Sequence, residues 1–235
     1  MGQIPAREVQ EFLRLVMEEW GKPKRLQVDN GNPWEKGKEL PSALALWLMG
    51  LGIEVVWIPP GKPQYNGVVE RAQGVLQQWA EPKEWRDEEE GQERLDWAVR
   101  MQRAGYRGGD GKTRMERFPQ LRTNPRRYLS ETEEEQWSLE EMDKRLATGQ
   151  RVRKVGRTEQ IYLYNRPYGV GREYARQTVF VRRDAMERVW RVTDESGQEI
   201  KVLKPKQFDR ETIRSPDIAY VKPSKRKGHN IGTAR

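Results

Sequence analysis

Apolar side chains recur at Val9, Phe12, Leu13, Val16 and Trp20 through PAREVQEFLRLVMEEW, a spacing that returns to one side of a helix every three or four residues. Gly21 and Pro23 then stop the helix. Leu26 and Val28 mark a short strand that runs into Asp29. Residues 40–51 (LPSALALWLMGL) are apolar on nearly every side and predict a buried helix, with Pro41 in its first turn and Gly50 or Gly52 at its end. IEVVWI (53–58) predicts a second, mostly apolar strand, and PPGKPQYNG is a loop rich in breakers. Helical spacing resumes through Val69, Ala72, Val75, Leu76 and Trp79. Helix, strand, helix, strand, helix is an α/β unit with a largely parallel sheet. A two-stranded sheet has little to bury against, so residues 1–80 read as half a domain.

Residues 81–147 predict a charged, partly helical connector. It carries a helix around Leu95, Trp97, Ala98 and Met101, the loop RGGDGKT, and a short helix over Thr132–Leu146 whose acidic run Glu133–Glu135 is read as a solvated face. From Gly149 the period becomes two. RVRKV, QIYLY, TVFVR, VWRVTD and QEIKVL alternate as short strands, with NRPYGVG, DAMER and ESG as the turns between them. This spacing predicts a small antiparallel SH3-like barrel over 148–206. Val152, Ile161, Leu163, Val179, Val181, Val189, Val192 and Val202 would fill it, and Arg151, Arg153, Arg182, Arg191 and Lys201 would face outward. Residues 207–235 lose periodicity and read as a basic, flexible tail.

Composition narrows the chemistry. Apolar residues make up 35% and charged residues 34% of the 235, polar enough that part of the chain is expected in linker or tail. There is no cysteine and one histidine, His229, which excludes disulfides, thiolate or histidine-clustered metal sites and Ser-His-Asp chemistry. A catalytic metal would need oxygen ligands, the preference of Mg2+ or Mn2+. No signal segment or bilayer-spanning apolar run is present in the sequence, so a soluble cytoplasmic protein without membrane partners is expected. The net charge is +8, and its distribution says more than its size. Residues 1–80 hold 9 basic and 9 acidic side chains, 81–147 hold 14 and 17, and 148–235 hold 21 and 10. The last third is therefore the candidate polyanion-binding part, with Arg151, Arg153 and Arg182 on its outward face.

The two strands each lead toward a carboxylate. The first delivers Asp29 into an Asn-Gly turn; the loop after the second delivers Glu70 to the start of a helix. Two acids at the ends of adjacent elements are a pattern for holding divalent cations, which activate a water or 3′-hydroxyl and stabilise a leaving oxygen. VDNG, then LGIEVVWIP, then KPQYNGVVER, in that order, resembles the core of retroviral-integrase-like DDE transposases, over about residues 5–80. A connector and a basic β-barrel after such a core resemble the layout of bacterial insertion-sequence transposases.

The resemblance implies an RNase H-like integrase core lacking its first strands, followed by the small all-β barrel. Asp29 and Glu70 match the second and third metal-binding acids of the family. Asn30 and Gly31 shape the turn that aims Asp29, Gln64 and Asn66 lie in the loop that faces the DNA end, and Asn30, Gln64 and Asn66 are candidate DNA contacts. Lys62, Arg71 and Gln73 are candidate phosphate contacts. The sequence departs from the family in two places: nothing matches its first Asp, and Gln77 stands where many relatives carry a Lys. The expected activity is Mg2+- or Mn2+-dependent strand transfer on transposon ends and target DNA by a homo-oligomer, this chain being the C-terminal part of the enzyme. The alternatives are a non-catalytic DNA-binding protein and an inactive transposase remnant.

Overall fold

The computed structural model describes residues 4–34, 40–80, 85–123 and 126–215. Helix α1 (Ala6–Trp20) ends at Gly21, whose positive φ of 80° lets its N–H reach back to the Met17 carbonyl. Its inward stripe is Val9, Gln10, Leu13 and Met17, and the Gln10 amide donates to the Arg214 carbonyl. Phe12, expected on that stripe, is 64% exposed together with Leu15. Strand β1 (Arg25–Val28) pairs in parallel with β2 (Glu54–Trp57), Leu26 opposite Val55. A parallel pair needs a crossover, and α2 (Ala43–Gly50), capped by Ser42 Oγ on the Ala45 N–H, lies between the two strands in the chain.

Every residue of α2 is buried. A helix apolar all round must be covered on all sides, and residues from the rest of the chain cover it. Helices α3 (Gly67–Ala80) and α4 (Glu88–Arg100) pack on each other, followed by short α5 (Arg114–Arg117). The next helices are α6 (Glu133–Gln136) and α7 (Leu139–Leu146), and α8 (Arg210–Arg214) follows the strands. Helices α7 and α8 pack against α2, and the Trp137 indole donates to the Trp47 carbonyl at 2.9 Å.

One continuous hydrophobic cluster runs from Met17 to Ile213 and takes in α2, Trp137, Met142 and the β-rich third. The charge boundaries read from the sequence therefore do not separate independent cores. Two expectations change. Glu133, placed on a solvated face, is 2% exposed. Residues 207–215, placed in a flexible tail, contain α8 with Ile213 3% exposed, because α8 closes one side of α2. The rest of the expected tail, His229 included, lies outside the described residues.

The β-rich third holds β3 (Gln150–Lys154), β4 (Gln160–Leu163), β5 (Arg166–Gly169), β6 (Thr178–Asp184), β7 (Val189–Thr193) and β8 (Glu199–Leu203). Four of these form an open antiparallel sheet in the order β3-β6-β7-β8, and β4-β5 is a hairpin. β5 falls within a stretch expected as a turn. Tyr164 and Asn165 both adopt positive φ, reversing the chain in two residues, so Arg166–Gly169 is free to pair.

Register also inverts β3. Arg151 lies opposite Val181 and Arg153 opposite Val179, both fully buried, so the two arginines lie on the core face. Val152, expected inside, is 46% exposed. Val202 is likewise 43% exposed, since it pairs with Arg191 while Leu203 pairs with Trp190 and points inward. Among the described residues, no helix is long and apolar enough to cross a membrane.

Candidate functional site

Asp29 follows the last residue of β1 and is exposed. Its Oδ1 accepts the Gly31 N–H at 3.0 Å, the Asx turn that Asp-Asn-Gly favours. Asn30 turns the other way: its Nδ2 donates to the Ile58 carbonyl at 2.9 Å, tying the turn to the end of β2, and its Oδ1 is buried without a partner among the described residues. Thus Asn30 positions the loop rather than reaching outward from it. Ile58 N–H in turn donates to the Val28 carbonyl, so the parallel pair continues up to the turn.

The segment bearing the second acid comes to the same end of the strand pair. Gln27 Nε2 donates to the Tyr65 carbonyl at 3.0 Å, bridging β1 to the 3-10 turn Pro63–Asn66 that opens α3. Lys62 is exposed, with Nζ 6.0 Å from the centroid of the Tyr65 ring. Gln64 is exposed and Asn66 half-buried. Glu70 stands exposed in the first turn of α3, where the unpaired backbone N–H groups favour a negative charge. It has no hydrogen-bond or ion-pair partner among the described residues. Arg71, Gln73 and Gln77 are exposed on the same helix.

The donor chemistry of this end suits a hard cation: two exposed carboxylates, one with an oxygen already engaged in its own turn. The donor number does not. Among the described residues no group of three acidic or histidine side chains converges. Asp29 and Glu70 by themselves fall short of a catalytic metal centre.

The three arginines expected on an outward face differ from one another. Arg151 Nη1 donates to the Leu146 and Gly149 carbonyls, and Arg153 donates to the Tyr162 and Val152 carbonyls. Both are half-buried, and burial pulls each guanidinium below its ordinary value. Arg182 alone of the three is exposed, opposite Gln150 on one side and Arg191 on the other. Arg191 is held by Asp184, Glu187 and Glu199 at 2.8 Å each, so its charge is matched locally. Of the three, Arg182 is therefore the one most able to meet a phosphate.

Sequence reasoning missed a second basic surface beside α3. A groove of about 650 Å3 is lined by Arg71 of α3, by Lys112, Arg114 and Arg117, and by the rings of Tyr106 and Phe118. The signal was present in RGGDGKTRMERF, a glycine turn followed by alternating basic residues. Its first part, RGGDGKT, is the expected loop; that it faces α3 across a groove leaves no mark in local spacing. No protein-family model matches the sequence.

Proposed function

We propose that this chain is a DNA-binding part of a DDE-type transposase or integrase. In this reading, β1, β2 and α3 belong to an RNase H-like core and the β-rich third to an SH3-like DNA-binding module. The observation that carries it is the Gln27–Tyr65 hydrogen bond. Together with the Asx turn at Asp29, it brings the turn bearing Asp29 and the start of the helix bearing Glu70 to one end of a parallel strand pair. Open α/β sheets bind ligands at that end. The basic groove beside α3 and the exposed Arg182 supply phosphate contacts next to it and on the sheet. Mg2+ or Mn2+ would bind at the two acids only as part of a larger donor set. DNA binding, without catalysis, is what the described residues can carry by themselves.

The test is duplex binding measured by fluorescence anisotropy, with and without Mg2+ at constant ionic strength. Wild type should bind more tightly with Mg2+, because the cation cancels carboxylate repulsion of the phosphates. Asp29→Asn with Glu70→Gln should bind more tightly without Mg2+ and lose the response. An identical Mg2+ response in the variant would refute the assignment of these two acids. In the same assay Arg182→Gln should lower the slope of log affinity against log salt by about 0.9, and Arg151→Gln, whose guanidinium is spent on carbonyls, should leave it unchanged.

A further inference from the structure

The groove beside α3 is built. Gln102, 6% exposed, donates to the Ala72 carbonyl of α3 at 3.0 Å and accepts from Arg114 Nη1 at 3.2 Å, which fixes one wall against the other. Asp110 holds the glycine turn by accepting the Lys112 N–H, and it pairs with Arg117 at 2.5 Å. Thr113 and Glu116 form a reciprocal capping box that starts α5. Exposed apolar side chains also line the groove. Tyr106 is 50% and Phe118 45% exposed, and Val68, on the facing turn of α3, is 77% exposed.

Among the described residues, four cations line this groove and no acidic residue does. Arg117 is matched by Asp110, and Arg114 spends a donor on Gln102. Arg71 and Lys112 have no acidic partner among the described residues. Exposed aromatic rings beside cations that lack an acidic partner among the described residues complement a ligand that is flat and apolar in one part and anionic in the next. We infer that the groove takes single-stranded DNA, with unstacked bases against Tyr106 and Phe118 and backbone phosphates on Arg71 and Lys112.

A duplex keeps its base faces stacked on one another and offers the rings nothing. An acidic peptide would satisfy the cations and leave the rings uncovered. The volume falls within the range of ligand pockets and suits one or two nucleotides. Val68, Arg71, Ala72 and Val75 of α3 line the groove, so a strand lying here runs along the first turns of that helix. The inference rests on the nucleic-acid reading above and names the form of DNA and the residues that hold it.

The experiment uses the full chain, a labelled oligothymidylate, a duplex of equal length and polyglutamate as competitor. Tyr106→Ala with Phe118→Ala should weaken oligothymidylate binding by about tenfold or more and leave duplex binding within about twofold. Arg71→Gln with Lys112→Gln, changes on exposed positions that keep the fold, should lower the oligothymidylate salt slope by about 0.7 per residue. Trp79, whose ring lies 5.8 Å from Tyr106, should report oligothymidylate as a change in emission. Unchanged oligothymidylate affinity in both double variants overturns the inference, as does an equal loss on duplex in Tyr106→Ala with Phe118→Ala. Displacement of oligothymidylate by polyglutamate at matched charge overturns it in favour of an acidic peptide. The Mg2+ response of duplex binding reads Asp29 and Glu70 and should persist in the groove variants, so a failure here is separable from a failure of the transposase reading.

Discussion

Replacing Glu133 by Gln should destabilise the protein by about 3 kcal/mol at neutral pH, and that loss should vanish in acid. Glu133 accepts from Arg14 Nε at 2.8 Å and Nη2 at 2.9 Å, from the Tyr128 hydroxyl, and from Arg214 Nη2 at 3.4 Å. It therefore links α1, α6 and α8. Burial by itself pushes its carboxyl up, but the Arg14 and Tyr128 hydrogen bonds and the Arg14 charge outweigh that and hold it at about 2, against an ordinary value of 4.5. The partners respond in kind: Arg14 is raised chiefly by its bond to Glu133, and Tyr128 by burial and then by the same carboxylate.

A displacement of that size corresponds to about 3 kcal/mol, at 1.36 kcal/mol per unit. Removing one member of a buried ion pair typically costs about 3–5 kcal/mol, and the partial exposure of Arg14, 28%, places this case at the low end. The sign follows from a folded value below the unfolded one. The contribution is complete above about pH 4.5 and is lost as pH falls toward about 2. Urea unfolding of wild type and Glu133→Gln across that range is the assay. Groups common to both proteins cancel in the difference. A gap below about 1 kcal/mol at pH 7, or one that does not close in acid, would refute the reasoning.

Two further stability tests address other joints of the core. Asp143 and Arg183, 0% and 1% exposed and paired at 2.8 Å, join α7 to β6; Asp143→Ala should cost about 3–5 kcal/mol, and Asp143→Leu with Arg183→Met should recover most of it in a urea double-mutant cycle. Independent, additive losses would show that the pair is not coupled. A Cβ at Gly50 would lie 2.1 Å from the Trp137 indole, which its bond to Trp47 holds in place, so Gly50→Ala should cost at least about 1–3 kcal/mol and alter tryptophan emission; an unperturbed spectrum would count against this packing.

The elements with strong periods were legible in the residues. Helices α1, α2 and α3 and strands β1 and β2 lie where apolar spacing put them, and the Asp-Asn-Gly signal marks a real Asx turn. What failed was the choice of face. Arg151 and Arg153 looked solvent-facing because they are charged, yet a strand's faces are set by its partner's register, and β6 placed both opposite buried valines. The acidic run 133–135 looked solvated, yet its first member meets two arginines from distant parts of the chain and the nearby Tyr128.

The sequence alone determined a mixed α/β chain with an all-apolar helix between two short strands, two carboxylates at turns, and a basic β-rich last third. Local periodicity and turn chemistry are encoded within a few residues, and they need no knowledge of what packs where. Only the tertiary structure decided that these parts share one core, that α7 and α8 close over α2, and that a glycine turn folds back on α3 to line a basic aromatic groove. Each of those depends on contacts between residues far apart in the chain, and pairing at that distance leaves no period to read.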